Sequence, residues 1–240
     1  MDYYYPSYPL IPTNLNPIHQ QYSSPNPSIC PHLTQMSYPV SLIFDTETTG
    51  LPPTSKNPKA RFAPYREWEN KCRIVQIAWT ITGPQGELLE TYNTLVQPDG
   101  FTVSKEAEAI HGFSTEHLQT HGIPIEAILQ KLMDSIRTYQ VEYIVAHNLA
   151  FDYHVVMQEM YRLNQQASME QWKQLKGYCT LKNARKYCKE IQKKPENFKL
   201  VSVYRNLIGE MDSSIQLHHA DSDIQLCKEI YHKIYQHQTQ

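Results

Sequence analysis

Apolar positions along this chain fall into short unbroken runs and into stripes at helical spacing, and the two patterns alternate. Leu42, Ile43 and Phe44 form an apolar run closed by a turn signal, which predicts a buried central strand. Residues 74–82 (IVQIAWTIT) and 88–96 (LLETYNTLV) are rich in β-branched and aromatic residues and flank Gly83-Pro84-Gln85-Gly86. That combination predicts an antiparallel hairpin. A further buried strand is predicted over 142–146 (EYIVA). Between and after the strands, the spacing turns helical. A short helix is predicted over 104–111 with Ser104 as its N-cap. A longer one over 123–139 aligns Ile125, Ile128, Leu129, Leu132, Met133 and Ile136 on one face, as a core stripe. A helix beginning near Asp152 offers Val155, Val156, Met160 and Leu163 as its inner face, and a closing helix carries Ile224, Leu226, Cys227, Ile230 and Ile234.

Two stretches carry neither pattern. Eight of the sixteen prolines lie before Val40, six of the seventeen tyrosines lie within residues 1–38, and no charged residue separates Asp2 from Asp45. Proline at this density blocks helix and ladder alike, so residues 1–38 are expected to be a disordered tail, with a domain over 39–236. Such a tract could also dock a partner or self-associate. Residues 52–73 read as a long loop that holds Lys56, Lys59, Arg61, Arg66, Lys71 and Arg73 against Glu67 and Glu69. A basic insertion of this length, beginning beside Glu47, is expected to be functional or solvated.

The net charge of −2 hides segregation, because residues 170–205 hold ten basic residues against three acidic ones. The two basic stretches favour nucleic acid as partner. Five cysteines without a C-x-x-C pair argue for reduced thiols and against a disulfide framework or zinc knuckle. The start, MDYYYPSYPLIP, lacks a basic n-region, and no apolar run approaches the roughly 18 residues of a membrane span. A reducing intracellular compartment, cytoplasm or nucleus, is therefore expected, without secretion or membrane association.

The predicted first strand ends in carboxylates. Side chains two apart on a strand share a face, so Asp45 and Glu47 point one way and Thr46 the other. Two like charges held together call for a cation, and hard oxygen ligands at that spacing suit Mg²⁺ or Mn²⁺. A lone D-x-E is more often an ordinary acidic turn, and a lone first-turn Asp152 is commonly a helix-dipole partner. The stretch Leu217-His218-His219-Ala220-Asp221-Ser222-Asp223 adds adjacent histidines, which titrate near neutral pH and can serve as a base.

Taken in order, FDTETTG, HNLAFD and HHADSD resemble the three motifs of the DEDDh 3′-to-5′ exonucleases, the family of polymerase proofreading subunits and RNase T. The stretch Ile110-His111-Gly112-Phe113-Ser114 resembles a lesser motif between the first and second. The resemblance spans about residues 41–235. It implies a ribonuclease-H-like α/β fold, a mixed five-stranded sheet with helices on both faces. By position, Asp45, Glu47, Asp152 and Asp223 match the metal carboxylates and His218 the general base. Helix geometry alone favours His219, since His219 and Asp223 are four apart and share a face. Thr46, Thr48, Leu51, His147 and Phe151 match the seat of the terminal nucleotide.

The chemistry so implied is a two-cation hydrolysis, with Mg²⁺ or Mn²⁺ ions about 3.5 to 4 Å apart at the scissile phosphate. His218 takes the proton of the attacking water, so the rate rises as pH rises. Nucleoside 5′-monophosphates are released from the 3′ end of single-stranded DNA or RNA, or of a frayed duplex. Two alternatives share the fold: a proofreading module of a polymerase, and an inactive nucleic-acid-binding scaffold. The filled carboxylate positions count against the scaffold. The longer passage over 52–73, Asp221 beside the site, and Ile224 after the last aspartate depart from the family pattern. Many relatives form homodimers, and nothing in the sequence settles the oligomeric state.

Overall fold

The computed structural model describes residues 37–212 and 217–239. The expected tail, apart from Ser37 and Tyr38, lies outside the described residues. Five strands form one sheet in the order β3-β2-β1-β4-β5. They are β1 (Ser41–Thr48), β2 (Ile74–Thr82), β3 (Leu88–Leu95), β4 (Tyr143–Ala146) and β5 (Lys176–Cys179). β1 runs antiparallel to β2 and parallel to β4. The sheet is therefore mixed, and β1 lies at its centre.

Eight helices flank it among the described residues: α1 (Lys105–His111), α2 (Thr115–His121), α3 (Ile125–Thr138), α4 (Ala150–Arg162), α5 (Gln166–Gln174), α6 (Thr180–Glu190), α7 (Leu200–Leu207) and α8 (Ala220–Gln238). The strand alternation decides which helix each face receives. Leu42 and Phe44 join Trp79, Ile144 and Ala146 in a core closed by α3, α4 and Trp172 of α5. Ile43, Ala78 and Val145 meet Ala220, Ile224, Cys227 and Tyr231 of α8 on the other face. α6 and α7 then pack on the outer side of α8 through Ala184, Val203, Leu226 and Ile230.

Three sequence expectations shift. The helix expected from residue 123 starts at Ile125, because Pro124 holds its preceding residue extended, and Ile123 instead bridges to Val96. α2 fills part of the stretch between, capped by Ser114, whose side chain accepts from the His117 N–H. The loop over 52–73 carries structure of its own: a Thr54–Phe62 antiparallel bridge, a 3-10 turn at Tyr65–Glu67, and a fully buried Trp68 whose Nε1–H donates to Ala63 O at 2.9 Å. Ser104 caps α1 as predicted, and the whole α3 stripe is buried. The fold also takes in Tyr38, whose N–H donates to Pro84 O at 2.8 Å and whose ring lies on His232 of α8. No described helix is long and apolar enough to cross a membrane.

Candidate active site

The site forms where the end of β1 meets the first turns of α4 and α8. Asp45 and Glu47 follow Ile43 on the strand face that receives α8, and Asp223 lies in the first turn of that helix. One carboxylate oxygen from each of the three comes within 4.8 Å of the others. Gln76 on β2 seats the helix: it lies opposite Glu47 in the ladder, and its Oε1 accepts the Ala220 N–H at 3.0 Å.

Asp152 approaches from the opposite face. It is 2% exposed, and its Oδ1 accepts both the N–H of Thr46, at 3.2 Å, and the Thr46 hydroxyl, at 2.8 Å. The alternation of β1 therefore divides the work. Asp45 and Glu47 pair with Asp223, while Thr46 holds Asp152.

Burial and mutual repulsion both disfavour four negative charges here. Burial, then the charges of Asp152, Asp223 and Glu47, hold Asp45 well above the ordinary carboxylate range. Burial, then Asp223 and Asp152, push Glu47 to about 8. Asp152 is raised by burial to about 7 despite the Thr46 bonds, which favour its ionised form. Asp223 is raised by burial to about 6, with His218 and then His219 acting in the opposite direction. A divalent cation would relieve this repulsion, and an all-oxygen donor set suits a hard ion. Asp45, Glu47 and Asp223 could hold one directly.

The two histidines take different places. His218 sits on a turn ahead of α8 with a left-handed φ of 61° and an exposed side chain. His219 is the N-cap residue, and its ring packs edge-on against Phe113 at 5.2 Å. The helix-face argument for His219 assumed that both lie within the helix, whereas α8 begins at Ala220.

Beside Glu47 opens a cavity of about 360 Å³. Thr46, Thr48, Leu51 and Phe151 all line it, and Ile110 and His111 of α1 form its far wall. Leu51 is 81% exposed at its mouth. His147 lies elsewhere, with both ring nitrogens engaged: Nε2 bonds to Phe198 O and Nδ1 to the Thr180 hydroxyl, each at 2.9 Å. Its place is structural, joining β4 to the segment between α6 and α7. The role of His111 in this wall was not legible from the sequence. The ring is buried, its Nδ1 accepts from the Phe113 N–H at 3.1 Å, and Nε2 has no partner among the described residues. Burial, then the nearby His219, holds its pKa below the ordinary histidine value, so the ring is neutral at physiological pH.

A known family and several solved structures resemble this chain. A family model described as Exonuclease (RNase_T) matches residues 42–231. Among solved structures, the zinc-bound E. coli exonuclease I complex with single-stranded DNA superposes with a TM-score of 0.63 at 17% identity, over 84% of this chain and 41% of that one. Exonuclease I with a dA16 oligonucleotide gives 0.60 at 17% identity, over 83% and 41% of the two chains. Cell-death related nuclease 4 (CRN-4) gives 0.63 at 15% identity, over 83% and 64%. The chain thus spans about two fifths of exonuclease I and under two thirds of CRN-4. Comparison with curated proteins gave no match.

Proposed function

The chain belongs to the RNase_T exonuclease family, with a DEDDh-type domain on a ribonuclease-H-like fold, and from that premise we propose that it removes nucleotides from the 3′ end of single-stranded nucleic acid. The observation that carries this reading is the convergence of Asp45, Glu47 and Asp223 to within 4.8 Å, with Asp152 held alongside by Thr46. The solved exonuclease I complexes contain single-stranded DNA, which favours the same class of polymer here.

In this reading Asp45, Glu47, Asp152 and Asp223 hold two Mg²⁺ or Mn²⁺ ions. Bound there, such ions stabilise charge on the scissile phosphate and make a water more acidic. His218 takes the proton of the attacking water. Its exposed ring, on the turn just ahead of the Asp223 helix, is free to reach a phosphate that His219, packed on Phe113, is not. The cavity between Leu51, Phe151 and Ile110 receives the terminal base, with His111 in its wall. Products are nucleoside 5′-monophosphates.

The test is digestion of 3′-labelled and 5′-labelled single-stranded DNA and RNA of one sequence, with Mg²⁺, Mn²⁺ or EDTA. A metal-dependent ladder growing from the 3′ end, lost in Asp45→Ala and His218→Ala, supports the reaction, and the faster polymer identifies the substrate. Retention of activity in His218→Ala with loss in His219→Ala would reassign the base. Tight binding without cleavage of either polymer would leave the scaffold reading in place.

A further inference from the structure

The two basic stretches, residues 52–73 and 170–205, are far apart in sequence but reach the same turn. Arg61 of the insertion donates from Nη1 to Asn148 Oδ1 at 3.0 Å. Its neighbour His147 is bonded through Nε2 to Phe198 O at 2.9 Å, and the guanidinium of Arg185 lies over the Phe198 ring at 5.3 Å. A chain of contacts thus runs Arg61, Asn148, His147, Phe198, Arg185. Its midpoint is the turn that leads into α4 and Asp152.

The segment around Phe198 is itself a ridge between two hollows of about 690 and 440 Å³. Arg185, Lys189 and Lys194 line the first, and Lys199 and Arg205 line the second, where Glu196 is the one acidic member. Among the described residues none of these cations, nor Arg61, is in an ion pair. Lys173, Lys176 and Lys186 of the same stretch are each matched to a glutamate. Arg61 spends one N–H on Asn148 and retains the others of its five for an outside acceptor. Unmatched cations on a concave surface, two of them held by neutral partners (Arg61 by Asn148, Arg185 by Phe198), suit a polyanion whose charges repeat along a line.

We propose that Arg61, Arg185 and Lys199 form a track for the phosphates of the single strand upstream of the scissile bond, laid across the His147–Asn148 turn. The partner is the sugar-phosphate backbone of single-stranded DNA or RNA. The inference rests on the exonuclease reading and adds to it where the body of the substrate lies. Because the track grips phosphates rather than the terminal nucleotide, it makes turnover depend on strand length and on salt.

The experiment compares kcat/KM for labelled strands of about twelve nucleotides and for a dinucleotide, as DNA and as RNA, at several salt concentrations with Mg²⁺. The proteins are wild type, the Arg61→Ala/Arg185→Ala/Lys199→Ala triple variant, and Arg61→Glu alone, each checked for unchanged thermal unfolding. The triple variant is expected to lose about tenfold or more on the long strand and much less on the dinucleotide. Its log–log salt slope should be shallower by about 2, at roughly 0.7 for each lost contact. Arg61→Glu, which is on the surface, should show the same length-selective loss. An equal loss on both lengths, or an unchanged salt slope on the long strand, overturns the track while leaving the exonuclease reading intact. Wild-type protein that cleaves neither length overturns that reading, and the track with it.

Discussion

Thr46 gives both its hydroxyl and its backbone N–H to one oxygen of Asp152, at 2.8 and 3.2 Å. The acceptor is a buried carboxylate, and burial has raised its pKa to about 7. The two bonds, with a backbone hydrogen bond from Asp152 itself, favour ionised Asp152 in the metal-free protein. They also fix the direction of its other oxygen. Replacing Thr46 with Val keeps the shape and the N–H but removes the hydroxyl. The expected result is a fall of about tenfold in activity at saturating Mg²⁺ and a weaker apparent affinity for the cation, read from Mg²⁺ titrations of strand digestion. Unchanged Mg²⁺ dependence would show that the Thr46 hydroxyl does not tune Asp152.

Neutralising one member of the carboxylate cluster should separate stability from activity. Asp45 is raised by burial first and then by three neighbouring carboxylates, so its charge is a cost to the metal-free fold. Asp45→Asn keeps the side-chain volume and removes that charge. The variant should unfold at a higher temperature than wild type in EDTA and lose activity by on the order of a thousandfold in Mg²⁺. Melting curves with and without EDTA, beside digestion rates, check both halves.

The same electrostatics set a pH dependence with a definite sign. Glu47 titrates at about 8 and Asp152 at about 7 in the folded chain, against ordinary values of 4.5 and 3.8. Between those limits the native state binds more protons than the unfolded chain, so this site's contribution to stability falls as pH rises from about 4 to about 8. A divalent cation holds the carboxylates ionised and should remove the trend or reverse it. Thermal unfolding from pH 5 to 8 in EDTA and in Mg²⁺ or Mn²⁺ measures this. Parallel curves in the two conditions would mean that no cation engages these groups.

How much of this could be read from the sequence depends on the range of the interaction. Leu42 to Glu47 carry a local signal, an apolar run with carboxylates two apart, and the strand, its two faces and the direction of Thr46 all follow from it. Ser104 as a cap and the α3 stripe are equally local. α2 contributes one fully buried side chain, Leu118, and so shows almost no stripe. β5, Lys-Gly-Tyr-Cys, is a short edge strand whose exposed half carries a lysine and a glycine, the opposite of a buried run. Gln76 owes its role to a pairing with Ala220, over a hundred residues away, and no spacing rule reports such a contact. The 52–73 segment looked featureless because prolines and charges mask Trp68 and Cys72, two fully buried side chains that tie it to the core.

Arg73 closes that segment, and its buried charge yields the last prediction. Its Nε donates to Glu159 Oε1 at 2.8 Å, its guanidinium also pairs with Asp99, and both Arg73 and Glu159 are fully buried. The backbone of Arg73 is joined to Thr49, just past the site's carboxylates, by the Thr49 N–H to Arg73 O bond at 2.9 Å and the Arg73 N–H to Thr49 Oγ1 bond at 3.0 Å. The ion pair thus anchors the end of the insertion to α4, while the Thr49 bonds join it to the strand that carries Asp45 and Glu47. Arg73→Met would leave Glu159 charged, buried and short of a partner, at a cost of roughly 3–5 kcal/mol. Adding Glu159→Met removes the orphaned charge, so the double variant should be more stable than Arg73→Met alone, by denaturant titration. A double variant less stable than the single would mean that Glu159 stabilises the fold through Arg162 and the Ile74 N–H independently of Arg73. The insertion would then be held by contacts other than this pair.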